Sequence, residues 1–567
     1  MRVADAVGRG LAGLGAGTVF GVAGSGNFHV TNALIAGGAR FIAARHEGGA
    51  TVMADAWART TGRPGVVTVH QGPGLTNAMT GIAEAAKSRT PLLVLAAEAP
   101  EVRSNFHVDV AGLAAAVGAA AERLYSPESA LADAHRAYQS ALSRRTVILA
   151  LPLNVQAALC EPGPMPAIRR MYPTAPAAEA VEALADVLRQ ARRPVFIAGR
   201  GARGKAADLE RLADACGALL ATSAVANGLF RGHPWSLNTS GGFASPLAAE
   251  LIGDADVIVG WGCALNMWTT RHGKLIGGDA TIVQVDDDAS AIGAHRQVHL
   301  GVPGDVAETA RAVAAVLAGG DQGDPVTGTR PVRHKEDGGS PSAAGALGTA
   351  GYRSPKLRER IAREVRWRDV AYADDSDGEH IDPRTLSIAL DDLLPAERTV
   401  AVDSGNFMGY PSMYLSVPDE AGFCFTQAFQ SVGLGLASAI GAAIARPDRL
   451  AVAALGDGGA LMGASELETI VRLRIPMVVV VYDDEAYGAE VHHFGPDGDP
   501  LDIVRFPPAD IAAIARGFGF TGVTVRRRGE LAAVRGWLDG PRERPLLIDA
   551  KVTSERGSWW LEEAFGH

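Results

Sequence analysis

The 567 residues carry 63 acidic against 53 basic side chains, a net charge of −10, so there is no basic face for a phosphate backbone and nucleic acid is excluded as an expected partner. At 47% hydrophobic and 20% charged the composition is that of a soluble globular protein, and the length predicts about three domains rather than one core. The cysteines Cys160, Cys216, Cys263 and Cys424 lie too far apart for a disulfide scaffold or a CxxC site and read as reduced and mostly buried.

The N-terminal run MRVADAVGRGLAGLGAGTVFGVAG is apolar, but Asp5, Arg9 and recurring glycines interrupt it before it reaches signal-peptide or membrane-span character. A first helix and strand are expected there, with no targeting segment and hence a cytoplasmic protein. Short β-branched runs then alternate with Ala-rich stretches: TVFGVA, ARFIAAR, GVVTVH, PLLVLAAE, TVILALP, PVFIAG, DVIVGWG, TIVQVD, TVAVDSG, LAVAALG, PMVVVVYD and PLLIDAKV. Such alternation predicts an α/β protein of three domains, each a mainly parallel sheet flanked by helices. Boundaries fall at CEPGPMPAIRRMYPTAPA and at the polar stretch from Gly319 to Gly351. They give an N-terminal domain over 1–165, a central Rossmann-like domain over 175–318, a flexible linker and connecting helix over 319–380, and a C-terminal domain over 381–567.

Ligands of open parallel sheets gather beyond the carboxyl ends of the strands, so residues there carry most weight. After the first strand, Ser25, Gly26, Asn27 and His29 are either polar contacts of a cleft or hydrogen-bonded loop residues. In ARFIAARHEGGATVMADAWART, Glu47 leaves a strand and enters a helix of small residues. Between an apolar strand and Gly48-Gly49 such a carboxylate is poorly solvated, which raises its pKa and suits it to share a proton with a ring nitrogen. The alternative is a helix-start glutamate serving the dipole. Phe106-His107 follows the fourth strand, where a histidine can relay protons or hold a loop. Gly199 to Gly204 formally satisfies GxGxxG, yet no acidic residue follows a second strand at ribose distance, so a plain strand-to-helix turn is expected.

Toward the other end, LAVAAL runs into Gly456-Asp457-Gly458-Gly459 and a helical stretch, ALMGASELETIVRL. A glycine turn between strand and helix brings backbone N–H groups close to a phosphate, and an aspartate there can hold a divalent cation; the same residues also describe a tight turn with Asp457 as helix N-cap. The next strand, PMVVVVY, ends in Asp483-Asp484-Glu485-Ala486-Tyr487-Gly488. If the two strands are parallel neighbours, Asp457 and Asp484 meet at one edge, where magnesium can take both carboxylates, a backbone carbonyl and the oxygens of a diphosphate. The alternative is a charged, solvated loop. His492 and His493 belong either to a closing segment or to the surface. No zinc-spaced cluster, GxSxG elbow or Walker loop is present.

GDG, about two dozen residues, and a pair of acid or amide residues closing a hydrophobic strand is similar to the cofactor signature of thiamine diphosphate enzymes. The run RHEGGA…ADAWARTTGRPGVV…HQGPGLTNAMTGIAEA…RTPLLVLAAE resembles, segment by segment, the pyrimidine-binding domain of acetolactate synthases and relatives such as benzaldehyde lyase and benzoylformate decarboxylase. The resemblance implies pyrimidine-binding, central and diphosphate-binding domains in that order, with thiamine diphosphate and Mg2+ as cofactors. It assigns Glu47 to N1′ of the aminopyrimidine and Gly72, Pro73, Gly74, Thr76 and Asn77 to a turn over the same pocket. Gln430, Val432, Gly456, Asp457, Gly458, Gly459, Ala486, Tyr487 and Gly488 fall to the rest of the cofactor, and Asp457, Asp484 and the Ala486 carbonyl to the metal. Val432 stands where acetolactate synthases commonly carry a methionine that props the cofactor into a bent shape, the alternative being plain core. Asp484 stands where the family usually has asparagine, which adds negative charge beside the diphosphate.

Ala264 replaces the arginine that contacts flavin in acetolactate synthases, so FAD is disfavoured. Ser25, Gly26, Asn27 and His107 match positions lining the substrate cleft. In the family the counterparts of Glu47 and Asp457 serve one cofactor from opposite subunits, which implies a homodimer or homotetramer with sites at the interface. The implied reaction is decarboxylation of a small 2-oxo acid donor and transfer of its acyl unit to a carbonyl acceptor. The cofactor motifs leave open a simple decarboxylase or carbon–carbon lyase, and a non-catalytic cofactor-binding paralogue is the alternative of another class.

Overall fold

The computed structural model describes residues 1–161, 163–319 and 351–562, and within them three parallel sheets of six strands flanked by helices. The first holds β1 (Thr18–Gly21), β2 (Arg40–Ala43), β3 (Gly65–Val69), β4 (Leu92–Glu98), β5 (Ala120–Arg123) and β6 (Thr146–Pro152), in the order β2-β1-β3-β4-β6-β5. The second holds β7 (Pro194–Ala198), β8 (Leu219–Thr222), β9 (Ser236–Thr239), β10 (Val257–Trp261), β11 (Thr281–Asp286) and β12 (Leu300–Pro303), in the order β12-β11-β10-β7-β8-β9. The third holds β13 (Arg398–Val402), β14 (Phe423–Phe425), β15 (Leu450–Gly456), β16 (Met477–Asp483), β17 (Thr521–Val525) and β18 (Leu546–Lys551), in the order β14-β13-β15-β16-β18-β17. The first and third sheets thus share one topology, with the chain reversing direction across the sheet between β1 and β3 and again between β13 and β15. Such switch points open crevices at the carboxyl ends of the strands.

Central strands such as β3, β6 and β16 are buried along their whole length, because helices cover both faces of a parallel sheet, and this is why they read as unbroken apolar runs. The chain forms two compact units, Met1–Met171 with Ala371–His567, and Tyr172–Val370. Inside the first unit, the helix Glu47–Thr61 lies against the helix Gly435–Ala445, and one continuous apolar core runs through both sheets' inner helices. Their small residues are the cause: any Cβ at Gly441 would collide with the Met53 carbonyl, so only glycine lets the two backbones come this close.

Two expectations need correction. The connection read over 319–380 is in part central domain: Tyr352 donates to Leu251 O at 3.0 Å, Arg353 Nε to Ala218 O at 2.9 Å, and Ile361 and Val365 join a buried cluster of that unit. The helix Pro355–Glu364 supplies the connecting helix, while the linker over 320–350 lies outside the described residues. The single helix expected after GDG is broken at Gly463 into Asp457–Met462, a 3-10 turn Ala464–Glu466 and Leu467–Arg472. The four cysteines are free, Cys160 partly exposed and the others buried, and among the described residues no helix is long and apolar enough to cross a membrane.

Candidate active site

β2 runs out through Arg45 and His46, and the following helix begins at Glu47, with His46 Nδ1 accepting the Gly48 N–H at 3.0 Å as its cap. Glu47 is half-buried rather than sealed off, and its Oε2 accepts from Asn77 Nδ2 at 3.1 Å. Asn77 lies on the helix Pro73–Lys87, which starts from Gly72 at φ +61, and a Cβ on Gly72 would stand 2.7 Å from the Phe106 carbonyl. Gly74 lies under the group: its Cβ would be 3.5 Å from Glu47 Oε1 and 3.1 Å from the Cβ of His70. Three strand ends therefore bring Glu47, Asn77, His70 and the Phe106-His107 loop to one edge of the first sheet.

His70 stood outside the sequence-based candidates, although its place beyond β3, two residues before Gly72, could have raised it. Its Nδ1 accepts the Gly26 N–H at 3.1 Å, which leaves the proton of the neutral ring on Nε2, and Phe106 packs edge-on at 5.4 Å. Gly26 is buried, and a Cβ there would collide with Gln71 Oε1 and displace that side chain. Asn27 is fully buried and braces its own loop: Oδ1 accepts from Gly24 N at 2.7 Å, and Nδ2 donates to Val22 O and to Thr68 Oγ1, each at 3.1 Å. Ser25 is exposed, His29 is exposed beside Arg2 at 3.1 Å, and the His107 ring lies 3.4 Å from Ala99 O.

The second group forms at the carboxyl edge of the third sheet. β15 and β16 are parallel neighbours with Gly456 opposite Tyr482, so Asp457 and Asp484 follow adjacent strand ends. The helix begins at Asp457, and no side chain caps it from Gly456. Burial, then the charge of Asp483, pushes Asp457 up to about 7; burial, then the charge of Asp457, pushes Asp484 up to about 8. Two carboxylates so placed hold both charges readily only beside a cation, and hard oxygen donors suit Mg2+. Among the described residues no group of three or more His, Cys, Asp and Glu could hold a metal by itself, so a cation at this pair would need backbone or ligand oxygens as well. The Ala486 carbonyl is suitably held. An antiparallel bridge between Ala486 and Arg505 uses the Glu485 carbonyl (Phe506 N, 2.9 Å) and the Tyr487 amide (to Val504 O, 2.8 Å), fixing the loop without Ala486 O.

Side chains crowd the glycines of this edge. A Cβ on Gly488 would collide with Asp484 Oδ2, one on Gly458 would stand 2.8 Å from the Tyr487 ring, and one on Gly459 would collide with Asp403 Oδ2 and lie 3.4 Å from Val432 Cγ1. Val432 is thus exposed beside the glycine turn rather than in the core. Asp403, buried at the end of β13, accepts from Ser404 N at 2.9 Å, from Gly433 N at 3.0 Å and from Leu434 N at 3.1 Å, and so ties the Val432 turn down. Gln430 takes φ +62 within that turn. His492 and His493 are half-buried on the helix Gly488–Phe494.

Among the described residues no hydrogen bond or ion pair joins Glu47 to Asp457. What the C-terminal domain does touch is the approach to Glu47: buried Glu466 accepts the N–H of Arg45 at 3.0 Å and of His46 at 3.1 Å, and takes the Thr469 hydroxyl at 2.7 Å. The 3-10 turn that breaks the helix at Gly463 delivers this carboxylate. In the central domain, the Gly199–Gly204 turn packs against the β10 exit, Gly201 N donating to Gly262 O at 3.0 Å, with no room for a Cβ on Gly199; this approach accounts for Gly199 and Gly201, and a φ of +75 for Gly204. Ala264 is exposed next to it.

Family models match in all three domains: the thiamine pyrophosphate enzyme N-terminal TPP-binding domain over residues 1–115, the central domain over 181–313 and the C-terminal TPP-binding domain over 403–550. The chain is 28% identical to a sulfoacetaldehyde acetyltransferase of Alcaligenes xylosoxydans xylosoxydans, over 84% of this chain and 80% of the relative. It is 26% identical to the acetolactate synthase isozyme 2 large subunit of Escherichia coli (94% and 93%), and 28% identical to a Pseudomonas aeruginosa protein assigned as a 2-ketoarginine decarboxylase (90% and 87%). Matched domain by domain, with the cofactor motifs gathered at two strand edges, the chain belongs to the thiamine pyrophosphate enzyme family and resembles its acetolactate synthases along nearly its whole length.

Proposed function

We propose that the chain is a magnesium-dependent carboligase of this family, which decarboxylates a 2-oxo acid and transfers the acyl unit to a second carbonyl. The observation that carries the metal- and cofactor-dependent part is the pair Asp457 and Asp484, two crowded carboxylates at adjoining strand ends beside a glycine turn. Bound there, thiamine diphosphate supplies a carbon nucleophile and an electron sink for the loss of carbon dioxide. Asp457, Asp484 and the Ala486 carbonyl would hold the cation, and the amides beyond Gly456 the diphosphate. Val432, resting on Gly459, would support the cofactor's bend. Glu47 would hold the proton on N1′ of the aminopyrimidine; Asn77 donates to Oε2, and Oε1 would take that role.

Glu47 and Asp457 lie in different domains whose family counterparts serve one cofactor from opposite subunits, so we assign them to sites completed by a second copy, as a homodimer or a dimer of dimers. Exposed Phe429, Val432, Leu461, Met462 and Tyr487 give the diphosphate edge the apolar surface such a copy would cover. Relatives named for synthase and acetyltransferase activities support acyl transfer. A simple decarboxylase is the second reading. It is favoured by His70, whose Nε2 proton lies at the Glu47 edge, where it could protonate the carbon left after decarboxylation. Incubation with thiamine diphosphate, Mg2+ and a panel of 2-oxo acids, with and without carbonyl acceptors, separates the two. Coupled product that tracks carbon dioxide supports the carboligase; release without coupling selects the decarboxylase.

A further inference from the structure

The N-terminal domain grips the diphosphate domain at one buried charge cluster. Asp55 and Arg59 come from the helix Glu47–Thr61 and Glu84 from the helix Pro73–Lys87. Arg59 Nε meets Asp55 Oδ2 at 2.8 Å and its Nη2 meets Glu84 Oε1 at 2.7 Å, all three side chains being shielded from water. One guanidinium thus faces two carboxylates, and a buried charge without enough partners is costly, so the cluster needs further donors. Ser88 Oγ of the same domain donates to Glu84 Oε1 at 3.2 Å, and two more donors come from the other domain: Ala428 N donates to Glu84 Oε1 at 3.1 Å and Phe429 N to Glu84 Oε2 at 2.6 Å, while the Phe425 carbonyl there accepts from Arg59 Nη1 at 3.0 Å. Against the pull of burial, Arg59 and the two amides hold Glu84 below the usual carboxylate range, while burial pushes Asp55 above it.

The gripped segment leads straight into the turn that carries Gln430 and Val432. Gln430 sits at φ +62, a left-handed conformation that a non-glycine residue keeps only where its surroundings over-determine it. Beyond it, the Gly433 and Leu434 amides are held by Asp403. Glu84 anchors the start of the turn and Asp403 its end, with the strained residue and Val432 between them.

We infer that Glu84 is a positioning residue, which acts through the amides of Ala428 and Phe429 to hold the Gln430–Val432 turn in the shape that receives the cofactor. The inference rests on the assignment of that turn to the cofactor site, and the test separates the two. Cofactor-free protein in saturating Mg2+ is titrated calorimetrically with thiamine diphosphate for the wild type, Glu84→Gln and Val432→Ala. Glutamine offers one acceptor and one donor to two N–H groups, so one of the two charge-assisted bonds is lost and the other becomes a neutral one. Such bonds are worth enough that Glu84→Gln should weaken cofactor binding roughly ten- to hundredfold, while turnover at saturating cofactor returns close to wild type. Amide exchange across residues 426–434 of the cofactor-free variant should speed up, a local change that a general loss of stability would not confine to this segment. Wild-type binding by Glu84→Gln together with weakened binding by Val432→Ala overturns the inference and leaves the turn in the site. Wild-type binding by both variants removes the turn from the site and the inference with it. If Glu84→Gln does not fold, residue-resolved exchange in the wild-type apoprotein decides: protected Ala428 and Phe429 amides support the anchor, and fast exchange at both overturns it.

Discussion

Adding one methyl group at Gly488 should displace Asp484, the proposed metal ligand, without disturbing the fold. Gly488 opens the helix Gly488–Phe494 with an ordinary backbone, and alanine is the better helix former there, so the backbone itself gains slightly from Gly488→Ala. The new Cβ, however, would stand closer than 3.0 Å to Asp484 Oδ2, a separation real Cβ atoms essentially never show, and ordinary contact begins at 3.4 Å. The carboxylate must therefore retreat by more than about 0.4 Å, at least twice the roughly 0.2 Å within which metal–ligand distances are held. Magnesium demands near-ideal octahedral geometry and tolerates such a shift poorly. Apparent Mg2+ affinity should fall about ten- to hundredfold, or roughly 1.4 to 2.8 kcal/mol. The assay is Mg2+ titration of chelator-stripped protein at fixed thiamine diphosphate, followed by calorimetry and by recovered activity. Gly495→Ala, whose Cβ would meet only Leu501 at 3.4 Å, serves as control. Unchanged Mg2+ affinity in Gly488→Ala alongside normal folding would refute the assignment of Asp484 as a ligand.

Glu47→Gln should lower turnover by roughly a hundred- to ten-thousandfold while cofactor binding stays at wild-type strength; full activity would remove Glu47 from proton transfer. Lys551 pairs with buried Asp483 and lies 3.4 Å from buried Asp549, so Lys551→Met leaves two uncompensated carboxylates and should cost about 3–5 kcal/mol in urea unfolding of the apoprotein. A loss below about 1 kcal/mol, the scale of an exposed pair, would mean that the pair is not buried in solution. Burial pushes Asp403 up to about 6, above its unfolded value, so the folded state holds this proton more tightly and stability contributed by the neutral form is lost as pH rises through about 6. Asp403→Asn should flatten the stability profile between about pH 4 and pH 6 by up to about 3 kcal/mol relative to wild type, whatever its constant offset; parallel profiles would contradict the shift.

All twelve runs read as strands in the sequence are strands; all but the edge strand β2 lie inside a sheet, where a strand covered on both faces must be apolar throughout, and that demand is local. The six that escaped are β5, β8, β9, β12, β14 and β17. All but β8 lie at sheet edges; exposure breaks the apolar run in AAER of β5 and TGVTV of β17, while FCF of β14 is apolar but only three residues long. β8 is buried but only four residues long. Glu47, Asp457, Asp484 and the glycine turns were legible for the same local reason: each sits where an apolar run stops and small residues begin, which in a parallel sheet marks the ligand edge.

What the sequence could not contain is which distant side chain meets which backbone. Nothing near Glu466 announces that it will accept the amides of Arg45 and His46, 421 and 420 positions away, and nothing near Glu84 announces Ala428 and Phe429. Asn27 shows the converse: a polar residue at a strand end with the look of a ligand contact turns its amide inward, because Thr68 of the neighbouring strand stands opposite. Hydrophobic periodicity records how each segment is buried, whereas these pairings depend on the register in which separately buried segments come together, and that only the folded chain decides.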